Sequence, residues 1–102
     1  MAAVKGAMTM ISTKPYAVKG FIVLRTEKDK RSAFIKWRPV DNAFGYHIFY
    51  GTHPEKLYTS IMIHTNNEYW MKTMDLQKPY YFSIKAINEN AVSERTKTMK
   101  VD

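Results

Sequence analysis

Tyr80-Tyr81-Phe82-Ser83-Ile84-Lys85-Ala86-Ile87-Asn88 is the stretch that decides the fold. Tyr80, Phe82, Ile84 and Ala86 alternate with Tyr81, Ser83, Lys85 and Ile87, the period-2 pattern of a strand with one buried face. Asn88-Glu89-Asn90-Ala91 closes it as a tight turn. The same pattern recurs upstream. Ala33, Ile35 and Trp37 alternate with Phe34, Lys36 and Arg38 until Pro39 ends the run. Tyr46, Ile48 and Tyr50 alternate with His47 and Phe49 until Gly51 breaks it. Tyr69 and Met71 point one way and Trp70 the other.

Three further segments complete the set. Phe21 to Leu24 is a continuous apolar, β-prone run, Leu57 to His64 is β-prone, and Val92 to Val101 alternates with polar residues. Glu27–Ser32, Asp41–Ala43, His53–Lys56, Thr65–Asn67 and Met74–Pro79 read as turns and a crossover. Seven short strands spaced 8 to 12 residues apart predict an all-β, seven-stranded antiparallel β-sandwich, with three strands in one sheet and four in the other. Its expected core is Ile35, Trp37, Tyr46, Ile48, Tyr69, Met71, Tyr80, Phe82 and Ile84. The domain is expected over residues 20–102. Residues 1–19 read as a linker or the N-terminal tail of an excised fragment, with one short strand at Ala7 to Ile11.

These motifs resemble the fibronectin type III family, an immunoglobulin-like sandwich. Ile35-X-Trp37-X-Pro39 is similar to its second strand, whose tryptophan lies in the core. Tyr46-X-Ile48-X-Tyr50 resembles the third, and Tyr69-X-Met71-X-X-Met74 the fifth strand and crossover. Tyr80-X-Phe82-X-Ile84-X-Ala86-X-Asn88 resembles the sixth, which makes Tyr80 the tyrosine corner. Trp37 and Tyr80 are thereby structural residues. In the turn after it, Ala91 stands where glycine is common, so Asn90 is expected to take any positive φ.

Gly45-Tyr46-His47-Ile48-X-Tyr50-Gly51, Pro54-X-Lys56-Leu57-Tyr58 and the run from Tyr80 to Thr96 also resemble accessory modules at the C-terminus of bacterial glycoside hydrolases. Those are similar to the family 43 enzymes, with xylosidase or arabinosidase activity. The resemblance implies a parent that is an exported polysaccharide-degrading enzyme: periplasmic, cell-surface or secreted. This piece is then accessory, with the upstream catalytic domain in the same chain as its partner.

The 102 residues suit one domain, and 45% hydrophobic residues are enough for a core. The absence of cysteine excludes disulfides and thiolate metal sites. No apolar run reaches the roughly 20 residues that span a bilayer, so no membrane insertion is expected. Met1 to Ser12 carries Lys5 and no long apolar stretch, so it does not read as a signal peptide, which places any export signal upstream. The net charge of +7 raises the question of an anionic partner. Its densest cluster, Arg25, Lys28, Lys30, Arg31, Lys36 and Arg38, is interrupted by Glu27 and Asp29 and reads as a solvated surface, not a nucleic-acid site.

Catalytic chemistry is not expected. His47, His53 and His64 lack ligand spacing, so no metal is expected. The nine acidic residues fall mostly in turns or on exposed faces, with no paired carboxylates for glycoside hydrolysis. Four isolated glycines make neither a nucleophile elbow nor a phosphate loop, so no cofactor is expected.

What remains is outward aromatics. Phe34 and Trp70 should share the outer face of one sheet, and Phe49 and Tyr81 are expected to form a second outward pair on the other. Two readings follow. A structural or docking module would cover these rings with the N-terminal segment (Met8, Met10, Ile11) or the upstream domain. A carbohydrate-binding module would stack polysaccharide on them.

Overall fold

The computed structural model describes residues 14–102. Met8, Met10, Ile11 and the expected Ala7–Ile11 strand lie outside the described residues. Seven strands follow in order: β1 (Ile22–Arg25), β2 (Ala33–Lys36), β3 (Gly45–Gly51), β4 (Thr59–His64), β5 (Glu68–Met71), β6 (Tyr80–Ile87) and β7 (Met99–Val101). They form two antiparallel sheets, β1-β2-β5 and β4-β3-β6-β7. The fourth strand thus joins β3 instead of the three-stranded sheet, unlike an immunoglobulin constant domain.

The alternation does what it implies. Tyr80, Phe82, Ile84 and Ala86 are buried along β6, and Ile35, Trp37, Tyr46, Ile48 and Met71 are buried opposite or beside them. Tyr69 is half-buried and packs against this core. Fully burying each such side chain stabilises the fold by about 1.5–3 kcal/mol. Val18, Phe21, Val23, Ala33, Ile63, Met74 and Val101 complete the core. Residues 14–19 therefore pack on the sandwich. Val18 is buried there, Arg38 N–H donates to the Lys19 carbonyl (2.9 Å), and Lys14 pairs with Glu94 (2.8 Å).

Three local expectations are corrected. β4 begins at Thr59, with Leu57 and Tyr58 outside it. The final strand is only Met99–Val101, with a lone bridge at Val92 to Ile87. Between them, Ser93 N–H and Thr96 N–H still donate to the carbonyls of Ala86 (2.8 Å) and Ile84 (3.0 Å), and side chains supply the missing acceptors. Ser93 Oγ accepts from Ala86 N–H (2.8 Å) and Thr96 Oγ1 from Ile84 N–H (3.0 Å), so the β6 edge is satisfied without a regular strand. Third, Asn90 has no positive φ. Asn88 Oδ1 accepts from both Asn90 N–H (2.9 Å) and Ala91 N–H (3.0 Å), an Asx turn that closes without a left-handed residue. Among described residues other than glycine, the positive φ falls at Thr65 (61°), between β4 and β5. Its N–H donates to the Phe44 carbonyl (3.1 Å), which fixes that turn against the start of β3.

Candidate functional site

Register places the outward residues of the three-stranded sheet in rows. Leu24 lies opposite Phe34, and Phe34 opposite Trp70. The next row is Ile22, Lys36 and Glu68. The Phe34 and Trp70 ring centroids are 5.0 Å apart at 44°, within the range of a favourable aromatic pair. An apolar row thus crosses all three strands. Leu24 (57% exposed) and Trp70 (49%) leave it open to solvent, Ile22 (43%) flanks it from the next row, and Phe34 is half-buried.

The outward face of the four-stranded sheet is built differently. Phe49 lies opposite Ser60 on β4 and Ser83 on β6, while Tyr81 lies opposite Gly51 and Lys100. Phe49 and Tyr81 are therefore on one face of the sheet, diagonal to each other across β3 and β6. Phe49 packs on the His47 ring (4.7 Å between centroids). The Arg95 guanidinium lies 4.9 Å and the Lys85 ammonium 5.2 Å from the Phe49 centroid. Cations over a ring are attracted by its quadrupole, and their stems cover the apolar surface. His47 Nε2 lies 3.1 Å from Ser60 Oγ. Burial first, then the Lys85 charge, holds the His47 imidazole below its usual value of 6.5.

At one end of the sandwich, the Tyr80 hydroxyl accepts from Asp75 N–H (2.7 Å), the geometry of a tyrosine corner. Arg25 was placed by sequence in a solvated basic cluster. It donates instead to the carbonyls of Lys30 (2.6 Å), Lys78 (2.7 Å) and Asp75 (2.6 Å), and lies over the Tyr80 ring. It clips the β1–β2 turn to the β5–β6 crossover. Trp37 is wholly buried against Tyr46 (5.2 Å, edge-on), and its Nε1–H has no partner among the described residues.

Among the described residues, no group of three or more His, Cys, Asp or Glu is placed to hold a metal ion. The depressions are shallow. One, bordered by Tyr16, Lys19, Arg38 and Asp41, lies beside the segment that precedes β1; the other lies at the Arg25 clip. Neither is lined by Phe34, Trp70, Phe49 or Tyr81. Sequence reasoning found Phe34 and Trp70 but missed Leu24 and Ile22. The signal was the strand pairing, since Leu24 is Phe34's cross-strand neighbour. It also missed Arg95, which comes from the irregular segment before β7.

No protein-family model matches the sequence, nor does any curated protein. Solved structures do resemble it. A Fn3-like protein from Clostridium thermocellum superposes with a TM-score of 0.76 at 16% identity, covering 88% of this chain and 94% of that one. FN3tt gives 0.72 at 20% identity, covering 88% and 97%. The FN1-FN3 domains of chicken CNTN1 give 0.71 at 13% identity, covering 87% of this chain and 32% of that chain, so the match spans about a third of it. The chain has the fibronectin type III fold.

Proposed function

We propose that this fibronectin type III fold serves as a non-catalytic accessory module that docks on a neighbouring domain of its own polypeptide through the outer face of β1-β2-β5. The apolar row Leu24–Phe34–Trp70 carries the reading. Large apolar side chains clustered on a solvated sheet face mark interaction surfaces. The direction of the chain supports it: residues 14–21 lead into β1, an edge of this same sheet, the side on which a preceding domain would be tethered. Lys36 and Glu68 in the adjacent row offer a polar rim. The sequence resemblance to accessory modules of xylosidase- and arabinosidase-like glycoside hydrolases names the neighbour: the catalytic domain of an exported bacterial polysaccharide-degrading enzyme.

Amide exchange in the 102-residue chain and in the polypeptide that carries it tests this. Slower exchange at Ile22–Arg25 and Glu68–Met71 in the longer polypeptide is the expected result. Unchanged exchange there overturns docking. Saturable shifts of Trp70 with xylan, arabinan or arabinoxylan would replace it with a carbohydrate-binding role.

A further inference from the structure

The outer face of β3 and β6 carries an unneutralised cluster that docking does not use. Arg95 and Lys85 converge on one phenyl ring, with the His47 imidazole packed on the same ring. Neither Arg95 nor Lys85 belongs to an ion pair among the described residues. The nearby carboxylates are engaged elsewhere: Glu94 faces Lys14 (2.8 Å) and Asp102 faces Lys100 (3.7 Å). Like charges gathered on one ring repel, and cation–π attraction to Phe49 opposes that. Burial first, and then the Lys85 charge, disfavours the protonated form of the neighbouring His47.

We propose that this face binds an acidic polysaccharide, with Arg95 and Lys85 pairing with its carboxylates and Tyr81, Ser60 and His47 bordering the sugar hydroxyls. Three features define the partner. First, the cations are spread along the sheet. Lys100, exposed and shared with Asp102, sits beside Tyr81 on β7, and Lys85, in no ion pair among the described residues, lies four residues further along β6. At about 3.3 Å per residue the track is about 13 Å long, which suits a repeating polyanion better than a single small anion. Second, the guanidinium fork matches a carboxylate. Third, single-stranded nucleic acid needs aromatic faces free for base stacking, and the ring here is occupied by Arg95, Lys85 and His47. The surface is separate from the Leu24–Phe34–Trp70 row, so either can fail without the other.

The test is a titration of the 102-residue chain, followed by amide shifts, with polygalacturonate, its methyl-esterified form and a single-stranded oligonucleotide. Saturable shifts at His47, Phe49, Lys85 and Arg95 with polygalacturonate alone are expected, weakening as salt rises. The His47 titration midpoint should rise on binding, because a nearby anion favours the imidazolium. Replacing both cations (Lys85→Gln with Arg95→Gln) should weaken binding on the order of tenfold. The thermal midpoint and dispersion of the double variant's spectrum confirm that it is folded. No shifts, equal binding of the esterified polymer, preference for the oligonucleotide, or shifts centred on Arg25–Arg38 each overturn the proposal.

Discussion

Trp70 and Phe49 carry the same sequence signal, an aromatic on the outward phase of an alternating strand, and meet opposite fates. Trp70 extends an apolar row with Phe34 and Leu24, and water reaches much of it. Phe49 faces Ser60 and Ser83 across its strand and collects Arg95, Lys85 and His47 over its ring. What an outward aromatic does is therefore set by its cross-strand neighbours and by the reach of long cationic side chains. The first surface invites an apolar partner; the second has been made wet and cationic.

The widest gap to establish lies between Trp37, buried just beyond the end of β2, and Trp70, outward on β5. Trp37→Ala should cost about 3–5 kcal/mol, by emptying a wholly buried site. Trp70→Ala should cost at most about 1.5 kcal/mol, roughly the value of its ring pair with Phe34. Urea midpoints of the two variants measure this directly. Equal losses would place Trp70 in the core and end the contrast between the outer faces. Trp37→Phe should cost far less than Trp37→Ala, since it also removes the indole N–H left without a partner.

Next in size is the covered ring. Phe49→Ala should cost about 1–2 kcal/mol, the two cation–π contacts contributing about 0.5–1 kcal/mol each. A double-mutant cycle of Phe49→Leu with Arg95→Gln should return a coupling of about 0.5–1 kcal/mol. A coupling of zero would mean that Arg95 does not sit on the ring, and Phe49 would rejoin Trp70 as a bare aromatic.

The smallest effect is a pH dependence confined to the Phe49 face. The folded imidazole of His47 titrates below its unfolded value of 6.5. The folded chain then binds fewer protons than the unfolded chain between those two values. Stability from this group is complete above about pH 6.5 and declines as pH falls through the lowered folded value. Lys85→Gln should raise the His47 midpoint part of the way back, because burial, the larger cause, persists. A midpoint unmoved by Lys85→Gln, read from imidazole resonances, would remove Lys85 from this cluster.

Much of this was legible from period-2 alternation. Along Tyr80–Ile87 each inward residue is apolar, so the buried phase is plain, and the outward positions of Phe34 and Trp70 follow from Ile35, Trp37, Tyr69 and Met71. Phe21–Leu24 defeats the same method, because a run apolar at both phases does not say which face is wet. Ile22 and Leu24 turned outward, and only pairing reveals that they extend Phe34's surface. The last segment misleads in another way. Ser93 and Thr96 keep their backbone N–H bonds to β6 but supply hydroxyls where a strand would supply carbonyl acceptors, and hydroxyl residues fit a β pattern equally well. Arg95 then reaches Phe49 from that irregular stretch, a contact that no spacing rule encodes. The tyrosine corner was legible from family resemblance, whereas the Arg25 clip behind it depends on two carbonyls distant in sequence, those of Asp75 and Lys78, besides the nearby one of Lys30.

The central claim is that the Trp70 row is open in the module and closes against a neighbouring domain. Acrylamide quenching of a Trp37→Phe variant, whose remaining tryptophan is Trp70, tests it most directly, in the 102-residue chain and in the polypeptide that carries it. Strong quenching in the chain alone, lost in the longer polypeptide, is the result the account predicts. Equal quenching in both would contradict docking, and protection already in the isolated chain would show that the row is covered from within the module.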